Sequence, residues 1–277
     1  MLNNLYKDIT FVIVTFKSEK IINSCLDSLP ADSDKIIIEN SSNLELKNYL
    51  ENKYKNLLCY VMKDNLGYGK GNNFGINKSK SKYIFILNPD TILEKNTILD
   101  MFLALKGTRF AIAAPYSTDV DENLFNNSNI IQQTFVKGFA MLLNKSEFDK
   151  VGFFDENIFL YLEEIDLCKR AVDNKKKIFL IKTKITQLSG FSHGNRDDFE
   201  MEKSRNWHWM WSKFYFNKKH YGYLSSLIKT FPNLISSLIK IMIYSLINNE
   251  RKKYIYLMRF KGLINSYLLS KSFYRPY

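Results

Sequence analysis

The chain has 277 residues, of which 45% are hydrophobic, and this excludes an intrinsically disordered protein. The length accommodates one large domain, or one domain with an appendage. The net charge of +12 is confined to the tail: residues 201–277 contain 14 Lys and Arg against 2 Asp and Glu, and residues 1–200 contain 26 of each sign. A tail with this charge predicts a polyanionic partner, either nucleic acid or an anionic membrane surface.

The cysteines indicate a reducing compartment. Cys25, Cys59 and Cys168 are widely separated and odd in number, so neither a disulfide framework nor a metal-ligand spacing is visible. The apolar run at the N-terminus is too short for a secretory signal peptide, and no small-residue cleavage site follows it. We therefore expect a cytoplasmic protein.

Strand-like and helix-like segments alternate over the first 115 residues. The predicted strands are 9–15, 35–40, 57–62, 83–87 and 110–114. Helices are predicted at 18–29, 43–54 (capped by Asn43), from near Asn72, and at 96–106. This order predicts an α/β fold with a mostly parallel central sheet and helices on both faces.

The pattern changes after Pro115. Residues 117–135 are polar and rich in Asn, which predicts a long loop or a hairpin. Further along, a strand is predicted at 137–144, a helix at 162–172 and a strand at 177–182. From Trp207 the composition shifts to aromatic, basic and aliphatic residues with few acids, so we place a domain boundary near residue 200.

Polar residues follow each of the first four predicted strands. They are Thr15-Phe16, Glu39-Asn40-Ser41-Ser42, a glycine-rich loop from Asn65 to Asn73, and Asn88-Pro89-Asp90. Because parallel strands share a direction, these clusters are expected at one edge of the sheet, where open α/β sheets bind ligands. Each cluster alone is explained equally well as a polar turn, and together they favour a ligand crevice.

The glycine-rich loop matches neither standard phosphate-binding motif. No Ser or Thr follows a Gly-Lys pair in the frame of a P-loop. The dinucleotide fingerprint would follow the first strand, where the sequence reads TFKSEK. The glycines permit close backbone approach, and Lys70 adds a charge suited to phosphate.

Three acids lie within four residues at the start of the predicted helix 162–172. They are Glu163, Glu164 and Asp166, and on a helix the first and last share a face with Arg170. A solvated helix N-terminus, where the helix dipole favours acids, is an equal alternative for the segment alone. The surrounding Phe, Leu and Tyr residues favour a functional acid, because burial raises a carboxyl pKa toward the range of a general base.

Six segments in this order resemble the family 2 inverting glycosyltransferases, most closely the bacterial rhamnosyltransferase-like group: VIVTFKS, IIIENSS, NLGYGKGNNFGI, YIFILNPDTIL, VKGFAMLL and FDENIFLYLEEIDLCKR. The resemblance implies a GT-A fold with a nucleotide-sugar-binding half at about 1–115 and an acceptor-binding half at about 116–200. Residues 201–277 then form a basic, aromatic helical tail. It also implies a nucleotide diphosphate sugar as donor and a divalent cation, Mg²⁺ or Mn²⁺, as cofactor.

The resemblance assigns a role to each matching residue. The implied donor-binding residues are Thr15, Phe16, Glu39, Asn65, Gly67, Asn72 and Asn88. Asp90 would hold the cation, with Asn88 in place of the first acid of a DxD-type motif. Glu164 would be the general base, with Glu163 and then Asp166 as the alternatives. The family often has a His as a further metal or phosphate contact; Gln187 stands there, so His193 is the candidate for this role.

The tail suggests where the acceptor lies. Lys229, Pro232 and Lys240 interrupt the apolar stretch 224–247, so no apolar run reaches the roughly 20 residues of a membrane span. Its basic flanks favour peripheral contact with the anionic inner face of the cytoplasmic membrane. Helices packed on the catalytic domain, or on a second copy of the chain in a homodimer, are the alternative.

We therefore predict a metal-dependent glycosyltransferase that acts on a saccharide acceptor, lipid-linked, in bacterial surface polysaccharide or lipooligosaccharide synthesis. The donor is dTDP-rhamnose or a UDP-hexose. A polyprenyl-phosphate glycosyltransferase is the nearer alternative. A nucleic-acid-binding protein is a remote alternative. Binding to a phosphate backbone needs positively charged side chains, whereas the first 200 residues are neutral overall and their predicted strands are followed by acids.

Overall fold

A computed structural model describes residues 6–117, 122–126, 128–188 and 198–275. The strands are β1 (Ile9–Thr15), β2 (Asp34–Glu39), β3 (Leu57–Val61), β4 (Tyr83–Leu87), β5 (Thr91–Leu93), β6 (Ile112–Ser117), β7 (Ile130–Gln133), β8 (Ala140–Asn144) and β9 (Ile178–Gln187). The helices are α1 (Ile22–Asp27), α2 (Leu44–Lys53), α3 (Tyr68–Lys78), α4 (Thr97–Ala104), α5 (Glu163–Asp173), α6 (Phe199–Tyr221), α7 (Tyr223–Leu246) and α8 (Glu250–Tyr267).

These strands form a single sheet in the order β3-β2-β1-β4-β8-β6-β9-β5, with β7 paired to β9. The first four strands in this order run parallel, as predicted. Every residue of β1 is buried, because helices cover both faces of the sheet. Phe11 and Ile13 belong to the core on one face, and Val12 and Val14 belong to the core on the other. The predicted α/β fold with a mostly parallel sheet is confirmed.

The second half of the sheet is not built from simple alternation of parallel strands and helices. We expected the strand after α4 to be the fifth of a parallel sheet. In the structure β8 lies between this strand and β4 and runs antiparallel to both. This strand, β6, also continues through Pro115, where its pairing with β9 shifts register between Pro115 and Tyr116. A proline is tolerated at such an irregularity, so it did not end the strand.

Local hydrogen bonds set the starts of three helices. Helix α1 begins at Ile22 and not at Ser18, because the Ser18 carbonyl accepts the amide protons of both Ile21 and Ile22 in a turn. Helix α6, whose start was not predicted, begins at Phe199, where the Asp198 side chain caps it by accepting from the amides of Glu200 and Met201. Asn43 caps α2 as predicted and accepts from Leu46.

The chain divides into two compact units. One contains the sheet and the helices up to α5, in residues up to Phe154 and from Glu164 to Arg196. The other contains Asp155–Glu163 and the C-terminal helices α6, α7 and α8. Of the helices in the described ranges, α7 alone is long and apolar enough to cross a membrane, judged by length and composition. Lys229, Pro232 and Lys240 therefore do not exclude a span by that measure, contrary to our expectation, because the helix continues through all three residues.

Candidate active site

The carboxyl ends of β1 and β2 are joined by the side chain of Glu39. Thr15 and Glu39 are register partners, and the Thr15 hydroxyl donates to Glu39 Oε2 at 2.8 Å. The Ser41 amide donates to Oε1 at 2.5 Å, and the Ser41 hydroxyl donates to the same oxygen. Thr15 and Glu39 have no exposed surface, and the neighbouring Phe16 is half-buried. Glu39 therefore orders this edge of the sheet, and its predicted nucleoside contact stays a prediction.

The glycine-rich loop leads into α3, which packs closely on β1. Gly67 has a φ of 78° and its amide donates to Asn65 Oδ1 at 2.9 Å. A β-carbon at Gly75 would lie 2.5 Å from Val12 Cγ1, so a side chain at this position would push the helix off the strand. At this point glycine serves helix–strand packing. Asn40 also holds the loop, and its amide oxygen accepts from the Leu66 amide at 3.4 Å.

Two adjacent asparagines of α3 have different environments. Asn73 donates to the Phe154 carbonyl at 2.9 Å and accepts from the Phe154 amide at 3.0 Å. Asn72 has no exposed surface, and within the described residues neither its amide oxygen nor its amide nitrogen has a hydrogen-bond partner. An orphaned buried amide costs about 1–3 kcal/mol, and a ligand that pairs with it removes that cost. Asn72 is thus the better placed of the two for a ligand contact.

Beyond β4, a tight turn presents Asp90. The Thr91 amide donates to the Asn88 carbonyl at 3.1 Å and closes the turn around Pro89 and Asp90. Asn88 is half-buried and Asp90 is 1% exposed. The Leu188 amide, just after β9, donates to the Asp90 carbonyl at 2.8 Å. The turn is therefore held between two strands, which fixes the carboxylate at the edge of the sheet.

The Cys25 thiol lies against the same turn and donates to the Asn88 carbonyl at 3.6 Å. Burial raises the pKa of this thiol, and the negative charge of Asp90 raises it further. Cys25 is thus a protonated, packed side chain, and Cys59 and Cys168 are also free and buried.

Glu164 lies in the first turn of α5 against Gly138. A β-carbon at Gly138 would lie 3.0 Å from Glu164 Cβ and 3.1 Å from its Cγ. Burial raises the pKa of the Glu164 carboxyl, and hydrogen bonds from the backbone amides of Glu164 and Ile165 oppose that shift. The net direction is the one that a general base requires.

The other two acids of this cluster have different settings. Glu163 is 5% exposed and directly precedes Glu164. Asp166 has no exposed surface, and one of its oxygens accepts from Arg170 Nε at 2.7 Å. Arg170 also donates to the carbonyls of Val151 and Gly152 at 2.8 and 3.1 Å. The Asp166–Arg170 pair therefore ties α5 to the loop before it, which is a structural role.

The dipeptide Gly138-Phe139 connects the separate clusters. The Phe139 carbonyl accepts from the Asn88 amide at 2.9 Å and from the Thr91 hydroxyl at 3.3 Å. The Gly138 carbonyl accepts from the Tyr68 hydroxyl at 2.6 Å. With Glu164 packed on Gly138, the turn of Asp90, the start of α3 and the start of α5 all adjoin two consecutive residues.

Some site residues were not foreseen and one cannot be placed. Tyr68 was not singled out from the sequence, although an aromatic residue between the glycines of NLGYG marked the position. Within the described ranges no three His, Cys, Asp or Glu side chains form a metal-binding group. His193, the predicted second metal contact, lies outside the described residues. Gln187, the position aligned with the family's His, pairs with Thr91 at the end of β9.

The model of the family described as "Glycosyl transferase family 2" matches residues 10–168. This chain belongs to glycosyl transferase family 2. The match covers more than half of the chain and includes five of the six segments on which the resemblance was based, together with all but the last two residues of the sixth. The protein is therefore a glycosyltransferase, and its sheet is that of the GT-A fold.

Two relatives of this glycosyltransferase illustrate its range. The rhamnosyltransferase WbbL of Escherichia coli K12 is 26% identical over 237 residues, which cover 71% of this chain and 88% of the relative. The low-salt glycan biosynthesis hexosyltransferase Agl10 of Haloferax volcanii is 25% identical over 190 residues, or 59% of this chain. That alignment spans 61% of Agl10, so the chain matches less than two thirds of that relative's length.

Solved structures share the fold at lower identity. TarS 1–349 of S. aureus superposes with a TM-score of 0.56 at 14% identity, over 96% of this chain and 93% of TarS 1–349. GalNAc-T7 with UDP, GalNAc and Mn²⁺ superposes with a TM-score of 0.54 at 12% identity, over 84% of this chain and 58% of that one. At such low sequence identity, the structural similarity supports only the assignment of the GT-A fold.

Proposed function

We propose that this glycosyltransferase moves a sugar from a nucleotide diphosphate sugar to a saccharide acceptor in a single displacement that inverts the anomeric carbon. The observation that carries the proposal is the convergence of the Asp90 turn and Glu164 on Gly138-Phe139. A leaving diphosphate and an attacking hydroxyl need a cation site and a base on opposite sides of one carbon. These two acids supply both.

The donor is dTDP-rhamnose or a UDP-hexose. The names of WbbL and Agl10 support a rhamnose or another hexose, and TarS has been solved with UDP and with UDP-GlcNAc. The donor-binding residues we assign follow the carboxyl ends of β1, β3 and β4 or lie near the start of α3: Thr15, Phe16, Asn65, Gly67, Asn72 and Asn88. Glu39 supports this group through its hydrogen bonds to Thr15 and Ser41.

We assign Mg²⁺ or Mn²⁺ to Asp90, with Asn88, two residues earlier in the chain, as a second oxygen donor. Both are hard oxygen donors, and such cations are commonly held by one or two carboxylates together with substrate phosphates. The donor set therefore fits the ion. When bound, the cation neutralises charge that develops on the leaving diphosphate, which is worth several kcal/mol.

Glu164 is the general base in this proposal. Its carboxylate takes the proton from the acceptor hydroxyl as that oxygen attacks, a contribution of about 10²–10⁴ in rate. Burial keeps its pKa above the ordinary value for glutamate, so the carboxylate is a stronger base than an exposed one. Asp166 positions α5 through Arg170, and Glu163 is the alternative base.

A lipid-linked acceptor at an anionic membrane surface is supported by α7. Its exposed apolar residues recur at helical spacing along one side: Leu224, Ile228, Phe231, Ile235, Ile239, Met242 and Leu246. The opposite side packs inside its own unit, where Ser226 donates to the Phe214 carbonyl at 2.8 Å. Basic residues in the same unit add about 1 kcal/mol each near anionic lipid. We propose peripheral contact at the cytoplasmic face.

A thermal-shift screen tests the donor and cation. UDP-glucose, UDP-galactose, UDP-N-acetylglucosamine and dTDP-rhamnose are compared with and without MnCl₂. At least one donor is expected to raise the melting temperature, and more so with Mn²⁺. The proposal fails if no nucleotide sugar stabilises the protein under either condition.

Vesicle sedimentation tests the membrane contact. Binding is expected to phosphatidylglycerol vesicles and not to phosphatidylcholine vesicles. Ile228→Glu with Met242→Glu should release the protein, whereas Leu103→Glu, at an equally exposed position on α4, should not. Equal binding of all three proteins would contradict the contact. A separate transfer assay compares bare polyprenyl phosphate with a lipid diphosphate saccharide as acceptor. Transfer to the bare lipid phosphate would support the polyprenyl-phosphate alternative.

A further inference from the structure

Segment 155–163 is bound to α6 at several points within the second unit. The Asp155 carboxylate accepts from the Tyr215 hydroxyl at 3.0 Å and from Lys219 Nζ at 2.7 Å. The Leu160 carbonyl accepts from the Ser212 hydroxyl at 2.8 Å. These contacts leave the segment little freedom at its start and in its middle.

An aromatic contact adds a further anchor. The Phe159 ring stacks on the His208 ring with centroids 4.5 Å apart, and the Arg275 guanidinium lies 3.8 Å from the Phe159 centroid. Burial lowers the pKa of His208 to about 3, so the imidazole is neutral and its Nε2 pairs with the Tyr274 carbonyl at 2.7 Å. Phe159 is therefore packed against a neutral imidazole and the Arg275 guanidinium.

The segment then takes a strained conformation directly before the acids. Tyr161 and Leu162 have φ values of 70° and 67°, in the left-handed region that bulky residues avoid. Strain of this kind persists where the surrounding contacts enforce it. The two residues connect the anchored segment to Glu163 and Glu164.

The strained tyrosine meets the exposed tryptophan of α6. The Tyr161 and Trp209 rings meet edge to face, with centroids 5.4 Å apart and planes at 87°. Trp209 is 41% exposed, whereas Trp207 and Trp211 on the same helix are 1% and 3% exposed. Trp209 is thus the one tryptophan of the three that presents its ring to the solvent.

We propose that Tyr161 and Trp209 form an aromatic platform that binds the saccharide of the acceptor; the assignment rests on the proposed function. The C–H groups on one face of a pyranose carry partial positive charge and stack on the negative face of an aromatic ring. Tyr161 precedes Glu164 by three residues, so the platform and the base belong to one continuous stretch of chain.

Charged groups beside the platform favour a saccharide over a lipid tail. Burial raises the pKa of the Tyr161 hydroxyl. The positive charge of Arg205 lowers this pKa, and the negative charge of Glu163 raises it. Arg205 lies one helical turn before Trp209 on α6. A stacking face flanked by hydrogen-bonding groups is the usual composition of a polar-ligand site, and it is unsuited to hydrocarbon.

The test compares Trp209→Ala and Trp209→Phe with Tyr254→Ala, which removes another exposed aromatic ring, on α8. The probes are the octyl β-glycosides of N-acetylglucosamine, glucose, galactose and rhamnose. Each is offered as acceptor with a stabilising donor, and its binding is followed by tryptophan fluorescence. Trp209→Ala should raise the acceptor KM about tenfold and Trp209→Phe less, with the donor Kd unchanged. Tyr254→Ala should match the parent protein.

Three results would overturn the platform. The first is an unchanged acceptor KM in Trp209→Ala while transfer persists, which would leave the proposed function intact. The second is the absence of both transfer and fluorescence change with all four glycosides. The third is a loss of vesicle binding in Trp209→Ala at constant acceptor KM, which would assign the ring to the membrane. Failure of every donor to bind the parent protein would instead refute the proposed function.

Discussion

Gly138 and Glu164 are in direct contact, and a side chain at residue 138 would be crowded against Glu164. A β-carbon there would meet Glu164 Cβ at 3.0 Å and Cγ at 3.1 Å. Both neighbouring carbonyls, of Gly138 and Phe139, are held by hydrogen bonds, so Glu164 is the group that must shift.

Gly138→Ala is therefore expected to lower kcat by less than the roughly 10²-fold that a misplacement of about 1 Å causes, because the added methyl group moves Glu164 by only part of that distance. The donor Kd should stay within about twofold of the parent value, because the residues assigned to the donor lie elsewhere. Steady-state kinetics and donor titration measure the two quantities. A normal kcat in Gly138→Ala would show that Glu164 does not need this position.

Glu164→Gln is expected to reduce transfer by at least about 10²-fold, because the amide cannot accept the acceptor proton. Donor affinity should be retained, since the shape of the side chain is unchanged. Glu163→Gln is the matched control and should keep most of the activity. The reverse pattern in the two variants would move the base to Glu163.

The pH dependence follows from the raised pKa of Glu164, whose ordinary value is 4.5. The base must be ionised, so kcat/KM should fall as the pH drops through a midpoint above that value. The stability effect has the opposite direction: the folded protein holds this proton more tightly, so the contribution is present at low pH and lost as the pH rises through the folded pKa.

Denaturation of the parent protein and Glu164→Gln between about pH 4 and about pH 8 measures the stability effect. The stability of the parent protein relative to the variant should decrease as the pH rises. A difference that does not change with pH would mean that the Glu164 pKa is not raised in the folded protein.

Asp90→Asn removes one charge and keeps the shape of the side chain. We expect it to abolish the part of donor affinity that depends on Mn²⁺, because hard cations need carboxylate ligands. Donor affinity without Mn²⁺ should change little. Calorimetric titration of UDP with and without MnCl₂ gives both values, and an equal Mn²⁺ effect in parent and variant would refute the assignment.

Asp166→Asn should lower the free energy of unfolding by about 3 kcal/mol, because it leaves the charge of Arg170 partly buried and uncompensated. The carboxylate is fully buried and the Arg170 side chain is 17% exposed. Asp173→Asn breaks the exposed Lys169–Asp173 pair of the same helix and should cost less than about 1 kcal/mol. Urea denaturation compares the two. A stable but inactive Asp166→Asn would give Asp166 a catalytic role instead.

Local sequence was sufficient for the first half of the sheet. Strands β1 and β4 have the predicted bounds, and β2 and β3 differ by one residue, because continuous apolar runs bounded by polar residues specify buried parallel strands. The sequence was insufficient for β8, because the partner of a strand is chosen by contacts distant along the chain, here with β4 and β6.

For the site, the sequence by itself determined the chemistry: which carboxylates and amides follow which strands, and that an acidic pair opens α5. Only the tertiary structure decided their roles relative to one another. It joined Arg170 to the carbonyls of Val151 and Gly152 and set Glu164 against Gly138. It also bonded Asn73 to Phe154 and left the Asn72 amide without a hydrogen-bond partner among the described residues. Residue type fixes what a side chain can donate, accept or ionise, whereas its partners depend on backbone segments that meet only when the chain is folded.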